Sequence, residues 1–121
     1  MARTSLVYAT PDDVARAAAH LIAEALRSGA RTPVLAGGAV NIRAYGYLAG
    51  EAGVPWGRVT TLFGDERCVP PDHPESNFRQ AREALLDRVR PGTVLRMPGE
   101  LGPEEGAAVY ESWLAGVGPL D

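Results

Sequence analysis

The chain has 121 residues, which is enough for one modest domain and too short for two. Hydrophobic residues make up 45% of it and charged residues 22%, as in an ordinary globular domain. Twelve arginines and no lysine stand against 15 acidic residues, and the net charge of −3 argues against nucleic acid or an anionic membrane as a partner. No apolar run approaches the roughly 20 residues of a membrane span, and the single cysteine, Cys68, suits a reducing compartment. We therefore expect a cytoplasmic protein.

Strand-like and helical patterns alternate along the chain, and we predict four strands and four helices in the order βαβαβαβα. The predicted strands are residues 5–9, 33–36, 59–63 and 93–97. The predicted helices are residues 11 to about 28, about 41 to 50, 76 to 89 and 103 to about 115. This alternation is typical of an α/β fold, here an open, mainly parallel Rossmann-like sheet with flanking helices. Residues 1–121 then form a single α/β domain.

The first helix carries a clear start signal. Thr10 is a good N-cap and Pro11 suits the first helical position, with two acidic residues directly after it. Apolar residues recur at helical spacing and predict a buried face formed by Val14, Ala17, Ala18, Leu21, Ile22, Ala25 and Leu26. His20 falls on the opposite face, and we expect it to be solvated.

Two unusual segments directly follow predicted strands. Gly37 and Gly38 follow the second strand, and the residues Gly-Asp-Glu-Arg at 64–67 follow the third. In a parallel sheet both turns lie at the carboxyl edge, where ligands bind, so we expect them to face one cleft. A glycine pair before a helix lets backbone N–H groups approach an anion, although the pair alone also fits a tight turn. The three charges at 65–67 also fit a solvated loop.

A stiff loop separates the third strand from the helix that begins at residue 76. Residues 69–77 read VPPDHPESN, and their prolines exclude regular structure. Long loops inside a compact domain are usually functional, and a rigid loop can hold polar side chains in place. His73 lies just before Pro74 and could face the cleft; a structural role within the loop is the alternative.

Residues 63–79, which read FGDERCVPPDHPESNFR, resemble the signature segment of the 6-phosphogluconolactonases. These are lactone hydrolases of the pentose phosphate pathway, related to the amino-sugar-6-phosphate isomerases. The similarity continues in order through the first helix, the glycine pair, VPWGRV at residues 54–59 and GPEE at residues 102–105. It implies hydrolysis of 6-phospho-D-glucono-1,5-lactone to 6-phospho-D-gluconate, with a sugar phosphate as partner and neither a metal nor an organic cofactor. It leaves the oligomeric state unknown.

The resemblance also assigns roles to individual residues. Arg67 is the cation that stabilises the oxyanion or holds the phosphate, and Asp65 helps to order the site, so these two are the catalytic residues of this chain. The residues that would bind the substrate or its phosphate are Gly37, Gly38, Asn41, His73 and Asn77.

Two departures from the family pattern bear on activity. The family's phosphate loop usually reads Gly-Gly-Ser-Thr-Pro, whereas residues 37–41 read GGAVN and lack both hydroxyls. Family members are roughly twice as long, and their Gly-x-Asp-Gly-His segment, whose histidine is thought to be the general base, has no counterpart in these residues. We therefore interpret the chain as the N-terminal portion of such an enzyme, apparently truncated, and expect it to be inactive alone.

Two other functions stay open. One is an amino-sugar-6-phosphate isomerase or deaminase; those relatives typically carry Asp-Glu-Tyr where this chain has Asp-Glu-Arg, so Arg67 favours the lactonase. The other is a non-catalytic sugar-phosphate-binding module, which the altered glycine loop and the missing histidine both favour.

Overall fold

The computed structural model describes residues 10–117. Helix α1 spans Pro11–Arg27, strand β1 Val34–Leu35 and helix α2 Ala39–Ala49. Strand β2 spans Thr60–Phe63, after a 3-10 turn at Trp56–Arg58. The strand predicted at residues 5–9 lies outside the described residues.

The second half of the described chain is mainly helical. A continuous helix comprises α3 (Asn77–Ala81), a π-helical turn (Arg82–Leu86) and α4 (Asp87–Val89). It precedes strand β3, Thr93–Val94, and a 3-10 turn at Gly99–Leu101 then leads into helix α5, Pro103–Leu114. No helix within residues 10–117 is long and apolar enough to span a bilayer.

The three strands form a parallel sheet in the order β1-β2-β3. Val34 pairs with Leu62 across β1 and β2, and Thr60 pairs with Thr93 across β2 and β3. The predicted α/β fold with a parallel sheet and flanking helices is thus confirmed. Since parallel strands end on the same edge, the turns after β1 and β2 leave the sheet side by side.

Strands β1 and β3 are shorter than predicted, and a tyrosine hydroxyl binds the backbone at the end of β1 and at the end of β2. The N–H and the carbonyl oxygen of Ala36 both bind the Tyr45 hydroxyl. Those of Phe63, which would face a further residue of β3, both bind the Tyr110 hydroxyl. The pairing of β2 with β3 therefore stops where the Tyr110 hydroxyl takes the backbone groups of Phe63, whereas on β1 it is Leu35, and not Ala36, that accepts from the residue directly after β2.

The start of α1 is as predicted, but of the residues predicted for its buried face only Leu26 is fully buried. The Thr10 hydroxyl accepts a hydrogen bond from the N–H of Asp13 at 3.1 Å, as an N-cap does. Leu21 is 68% exposed, whereas the residues that are buried are Ala15, Ala19, Ala23 and Leu26. Helix α1 packs mainly against α2, and a row of alanines four residues apart permits that close approach.

Helix α2 begins two residues earlier than predicted, because Gly38 adopts φ 106° and serves as its N-cap. The helix predicted from 76 to 89 has the expected bounds but contains the π-helical turn. Between these helices and the strands lies a core of apolar side chains that includes Leu35, Tyr45, Leu48, Phe63, Leu85 and Leu86. The core anchors the strand ends from which the candidate site is built.

Candidate functional site

Asn77 connects the two turns that follow β1 and β2. Its side chain is 2% exposed, and its Nδ2 donates to both the carbonyl oxygen and Oδ1 of Asp65, each at 3.2 Å. Its Oδ1 lies against Gly37, so closely that a Cβ at position 37 would overlap it. Gly37 and Asp65 therefore lie on either side of one amide group, which agrees with the expectation that the two turns face one cleft.

Asn77 itself is placed beneath the turns rather than on the surface of the cleft. Its Oδ1 is buried and has no hydrogen-bond partner within residues 10–117. The residue begins α3, directly after the N-cap Ser76, whose hydroxyl accepts from the N–H of Arg79. Direct contact between Asn77 and a substrate stays a prediction; what the structure gives it is a link between Asp65 and Gly37.

The carboxylate of Glu66 ties the turn after β2 to the start of α3. Its Oε1 accepts from the N–H groups of Arg67 at 2.8 Å and Asn77 at 2.6 Å. Its Oε2 accepts from the hydroxyl of Ser76 at 2.8 Å and the N–H of Phe78 at 3.0 Å. Sequence reasoning did not assign Glu66 to the site, because an acidic residue between two predicted catalytic residues gives no sign of where its side chain points.

The side chain of Arg67 is exposed, and within residues 10–117 one hydrogen bond holds it. Its Nη1 donates to the carbonyl oxygen of Glu75 at 2.9 Å, across the proline-rich loop. The 3-10 turn after β3 supports the backbone from the other side, since a Cβ on Gly99 would overlap the carbonyl oxygen of Arg67. One contact from the loop thus orients a guanidinium that solvent can reach, which suits a group that binds an anionic ligand.

His73 is engaged within the proline-rich loop. Its Nδ1 accepts from the N–H of Glu75 at 3.0 Å, so a neutral ring carries its proton on Nε2. Its own N–H donates to the carbonyl oxygen of Pro70, and its carbonyl oxygen accepts from the N–H of Ser76. His73 is therefore equipped to donate to an anion, and its one basic nitrogen is already occupied.

The glycine turn leads directly into α2. Gly38 supplies no side-chain cap, and the first N–H groups of a helix have no intrahelical acceptor, so they are available to an anion. The side chain of Asn41 reaches back, and its Nδ2 donates to the carbonyl oxygen of Gly37 at 2.8 Å. Ala39 and Val40, where the family usually has hydroxyls, are both exposed.

Two further groups border the site. Asp65 lies near the Tyr45 hydroxyl, and burial, together with the charge of Asp65, raises the pKa of that tyrosine. Arg96 forms a two-pronged ion pair with Glu100 at 2.6 and 2.7 Å, and the nearby Glu66 adds to the attraction that raises the pKa of Arg96.

A cavity of about 250 Å³ lies between the turn after β2 and the start of α5, lined in part by Asp65, Glu66, Cys68, Met97 and Gly102.

The structure brings together Asp65, Asn77 and the glycine turn, and it holds the side chain of Arg67, two residues after Asp65, against the carbonyl oxygen of Glu75. His20 lies apart, exposed on α1, with Nδ1 3.7 Å from a Glu51 carboxylate oxygen. Within residues 10–117 no cluster of three or more His, Cys, Asp or Glu side chains could hold a metal ion. Sequence reasoning missed Glu66, Tyr45 and Ser76.

Comparison with known proteins identifies the family. The family described as glucosamine-6-phosphate isomerases/6-phosphogluconolactonase matches residues 7–120. The 6-phosphogluconolactonase of Streptomyces coelicolor is 40% identical over 117 residues, which cover 82% of this chain and 43% of that protein. That of Synechocystis sp. is 41% identical over 90 residues, which cover 72% of this chain and 37% of that protein.

Solved structures of similar proteins agree with the sequence comparisons. The 6-phosphogluconolactonase from Trypanosoma brucei superposes on this chain with a TM-score of 0.82 at 26% identity. The superposed part covers 95% of this chain and 51% of the Trypanosoma brucei chain. A monomeric glucosamine-6-phosphate deaminase, at 19% identity and a TM-score of 0.79, shares the fold. The chain thus spans about half the length of these solved relatives and about two fifths of the curated ones. With nearly its whole length matched, the chain belongs to the glucosamine-6-phosphate isomerase/6-phosphogluconolactonase family.

Proposed function

We propose that this chain contributes the phosphate turn and the oxyanion-binding arginine of a 6-phosphogluconolactonase. In this reaction water adds to the lactone carbonyl, and the ring opens to 6-phosphogluconate. The observation that carries the proposal is the shared edge, where Asn77 joins Gly37 to Asp65 and the exposed Arg67 follows Asp65 by two residues. The 6-phosphogluconolactonases among the relatives support the choice of reaction.

In this proposal each group has a limited task. The first N–H groups of α2, behind Gly38, bind the phosphate of the substrate. Arg67 stabilises the negative charge that develops on the carbonyl oxygen or holds the phosphate, and Asp65 orients the neighbouring groups. His73 donates through Nε2 to an oxygen of the bound ligand. The substrate that this set of groups would bind is a lactone of a sugar phosphate, in the cytoplasm.

The water-activating base does not, in this proposal, come from residues 1–121, in which the two histidines are His20 and His73. His20 is exposed on α1, away from the turns, and the Nδ1 of His73 already accepts a backbone N–H. Asp65 and Glu66 directly precede Arg67, and their carboxylates already accept hydrogen bonds within the site. Residues 1–121 alone should therefore bind 6-phosphogluconate without hydrolysing the lactone.

The decisive experiment compares two reactions on the polypeptide that the gene encodes. We expect it to release acid from 6-phosphogluconolactone faster than the spontaneous rate and to release no ammonia from glucosamine 6-phosphate. Ammonia release would favour the deaminase, and binding of 6-phosphogluconate without either reaction would favour a non-catalytic module. The same assay on residues 1–121 alone tests whether the base is missing, because turnover that disappears in His73→Ala would make His73 the base.

A further inference from the structure

Every hydrogen bond that reaches the Glu66 carboxylate is donated to it. Each of its two oxygens accepts twice, and the donors are three backbone N–H groups and the hydroxyl of Ser76. A carboxylate offers about four lone-pair positions, so all of its acceptor capacity is used. A glutamine in the same place would turn its NH₂ group towards at least one N–H donor in either orientation.

The donors belong to two separate segments. Arg67 lies in the turn after β2, and residues 76–78 form the start of α3, ten residues further along the chain. Between them runs the proline-rich loop, so Glu66 closes that loop at its base. Glu66 thus makes three of the hydrogen bonds that join the turn to the start of the helix, and the side chains of Asn77 and Arg67 add others.

The second segment in turn orients both predicted catalytic residues. Asn77 Nδ2 bonds to Oδ1 of Asp65, and the carbonyl oxygen of Glu75 accepts from Nη1 of Arg67. The same Asn77 amide lies against Gly37 of the phosphate turn. A shift of residues 75–77 would thus move Asp65, Arg67 and the packing of Gly37 together.

We propose that Glu66 is the positioning residue of this site: its carboxylate holds residues 76–78 and, through Asn77 and the adjoining carbonyl of Glu75, the orientation of Asp65 and Arg67. Glu66 acts through these neighbours and does not itself contact the substrate. The inference rests on the proposed lactonase for its effect on catalysis. Its geometric part concerns only this chain and can be measured without a substrate.

The kinetic test compares Glu66→Gln with Glu83→Gln in the polypeptide that the gene encodes, well below the unfolding temperature. Glu83 lies on the same continuous helix, in an exposed ion pair with Arg79 at 3.3 Å, so its variant controls for the loss of one negative charge. Misplacement of catalytic groups by about 1 Å can cost roughly 100-fold in rate. We expect a kcat loss of that order for Glu66→Gln, partial recovery in Glu66→Asp and no loss in Glu83→Gln.

A purely structural role for Glu66 would lower the unfolding temperature of Glu66→Gln and leave kcat per folded molecule unchanged. That result would overturn the inference. Should Glu66→Gln fail to fold, Ser76→Ala removes one of the four hydrogen bonds together with the N-cap bond from Arg79, and we expect a smaller loss of kcat per folded molecule. Wild-type kcat in Ser76→Ala would then be the contrary result.

A nuclear magnetic resonance measurement on the same variants separates this inference from the proposed function. The side-chain amide of Asn77 and the guanidinium of Arg67, which donates through Nη1, report on the two contacts that Glu66 is inferred to hold. We expect both resonances to move in Glu66→Gln and to stay in place in Glu83→Gln. Unmoved resonances would refute the positioning role even in an active enzyme. A wild-type protein without lactonase activity would refute only the proposed function, provided that the resonances move.

Discussion

Tyr45 and Tyr110 make the same pair of hydrogen bonds at the ends of neighbouring strands. The Tyr45 hydroxyl accepts from the N–H of Ala36 at 2.7 Å and donates to its carbonyl oxygen at 2.9 Å. The Tyr110 hydroxyl makes the equivalent bonds to Phe63, also at 2.7 and 2.9 Å. A glycine follows directly in both cases. Helices α2 and α5 thus fix the two points at which the candidate turns leave the sheet.

We expect Tyr45→Phe to reduce the free energy of unfolding by about 1–3 kcal/mol, since it removes two hydrogen bonds in a partly buried place. Tyr47→Phe is the matched control on the same helix, because the hydroxyl of Tyr47 binds the partly exposed Asp12, which water can solvate instead. Urea unfolding of the three proteins measures the difference. Equal losses of unfolding free energy in both variants would mean that the bonds to Ala36 stabilise the fold no more than the exposed bond of Tyr47 does.

Gly37→Ala tests the close packing of the glycine turn on Asn77. The added Cβ overlaps the Asn77 amide, which cannot retreat without breaking its bonds to Asp65, so we expect a loss of about 1–3 kcal/mol. In the Asn77→Ala background the same change should cost little, because the clashing atom is absent. Gly46→Ala, at a helical position with open space, should be neutral or stabilising. A Gly37→Ala loss that persists in the Asn77→Ala background would rule out the clash.

The sequence predicts the fold well because its signals are local. The cap at Thr10, the apolar run at 59–63 and the glycines after two strands each act over a few residues. The buried face of α1 is predicted only in part, since two stripes of apolar residues share that helix. Which stripe faces inward depends on how closely α2 approaches, and that is a tertiary property.

The site is predicted only in part, for a similar reason. Residues at the carboxyl ends of parallel strands must lie on one edge, so the proximity of Asp65 to the glycine turn follows from strand order. The bonds of Glu66 and the hydroxyl of Tyr45 join residues 9 to 12 positions apart through side chains, and no spacing rule covers them.

Arg67→Lys should remove most of the lactonase activity proposed for the intact protein. A guanidinium offers a planar fork to a phosphate or an oxyanion, whereas an ammonium is a point charge, and loss of such a contact costs about 2–4 kcal/mol in transition-state stabilisation. Arg88→Lys is the control, since Arg88 bonds only weakly to the carbonyl oxygen of Gly46, at 3.4 Å. Steady-state kinetics on both variants is the measurement, and near-wild-type rates for Arg67→Lys would leave Arg67 a structural contact to Glu75.

Stability should depend on pH through Glu100. Its two-pronged bond to Arg96 lowers its pKa from 4.5 to about 2. Because the folded-state pKa lies below the unfolded value, the pair stabilises the fold above pH 4.5, and this contribution is lost as the pH falls towards 2. Both side chains are about 30% exposed, so solvent screening limits the effect to about 1 kcal/mol.

The measurement is the free energy of unfolding of wild type minus that of Glu100→Gln, taken at pH 6 and again near pH 2. We expect about 1 kcal/mol at pH 6 and a difference close to zero near pH 2. Glu83→Gln, which removes a carboxylate from a single exposed ion pair, controls for the change in net charge. A difference that does not vary with pH would contradict the role assigned to the Arg96 pair.

Restoring the family's hydroxyls should strengthen phosphate binding by the glycine turn. Ala39 and Val40 are exposed in the first turn of α2, so serine and threonine fit there without repacking the core. Each hydroxyl that donates to the phosphate should add about 0.5–1.5 kcal/mol, and somewhat more because the acceptor is charged. Calorimetric titration with 6-phosphogluconate compares the double variant Ala39→Ser, Val40→Thr with wild type, and Ala108→Ser on the exposed side of α5 is the control. Unchanged or weaker binding in the double variant would show that the bond from Asn41 to Gly37 has reshaped the turn around a different contact.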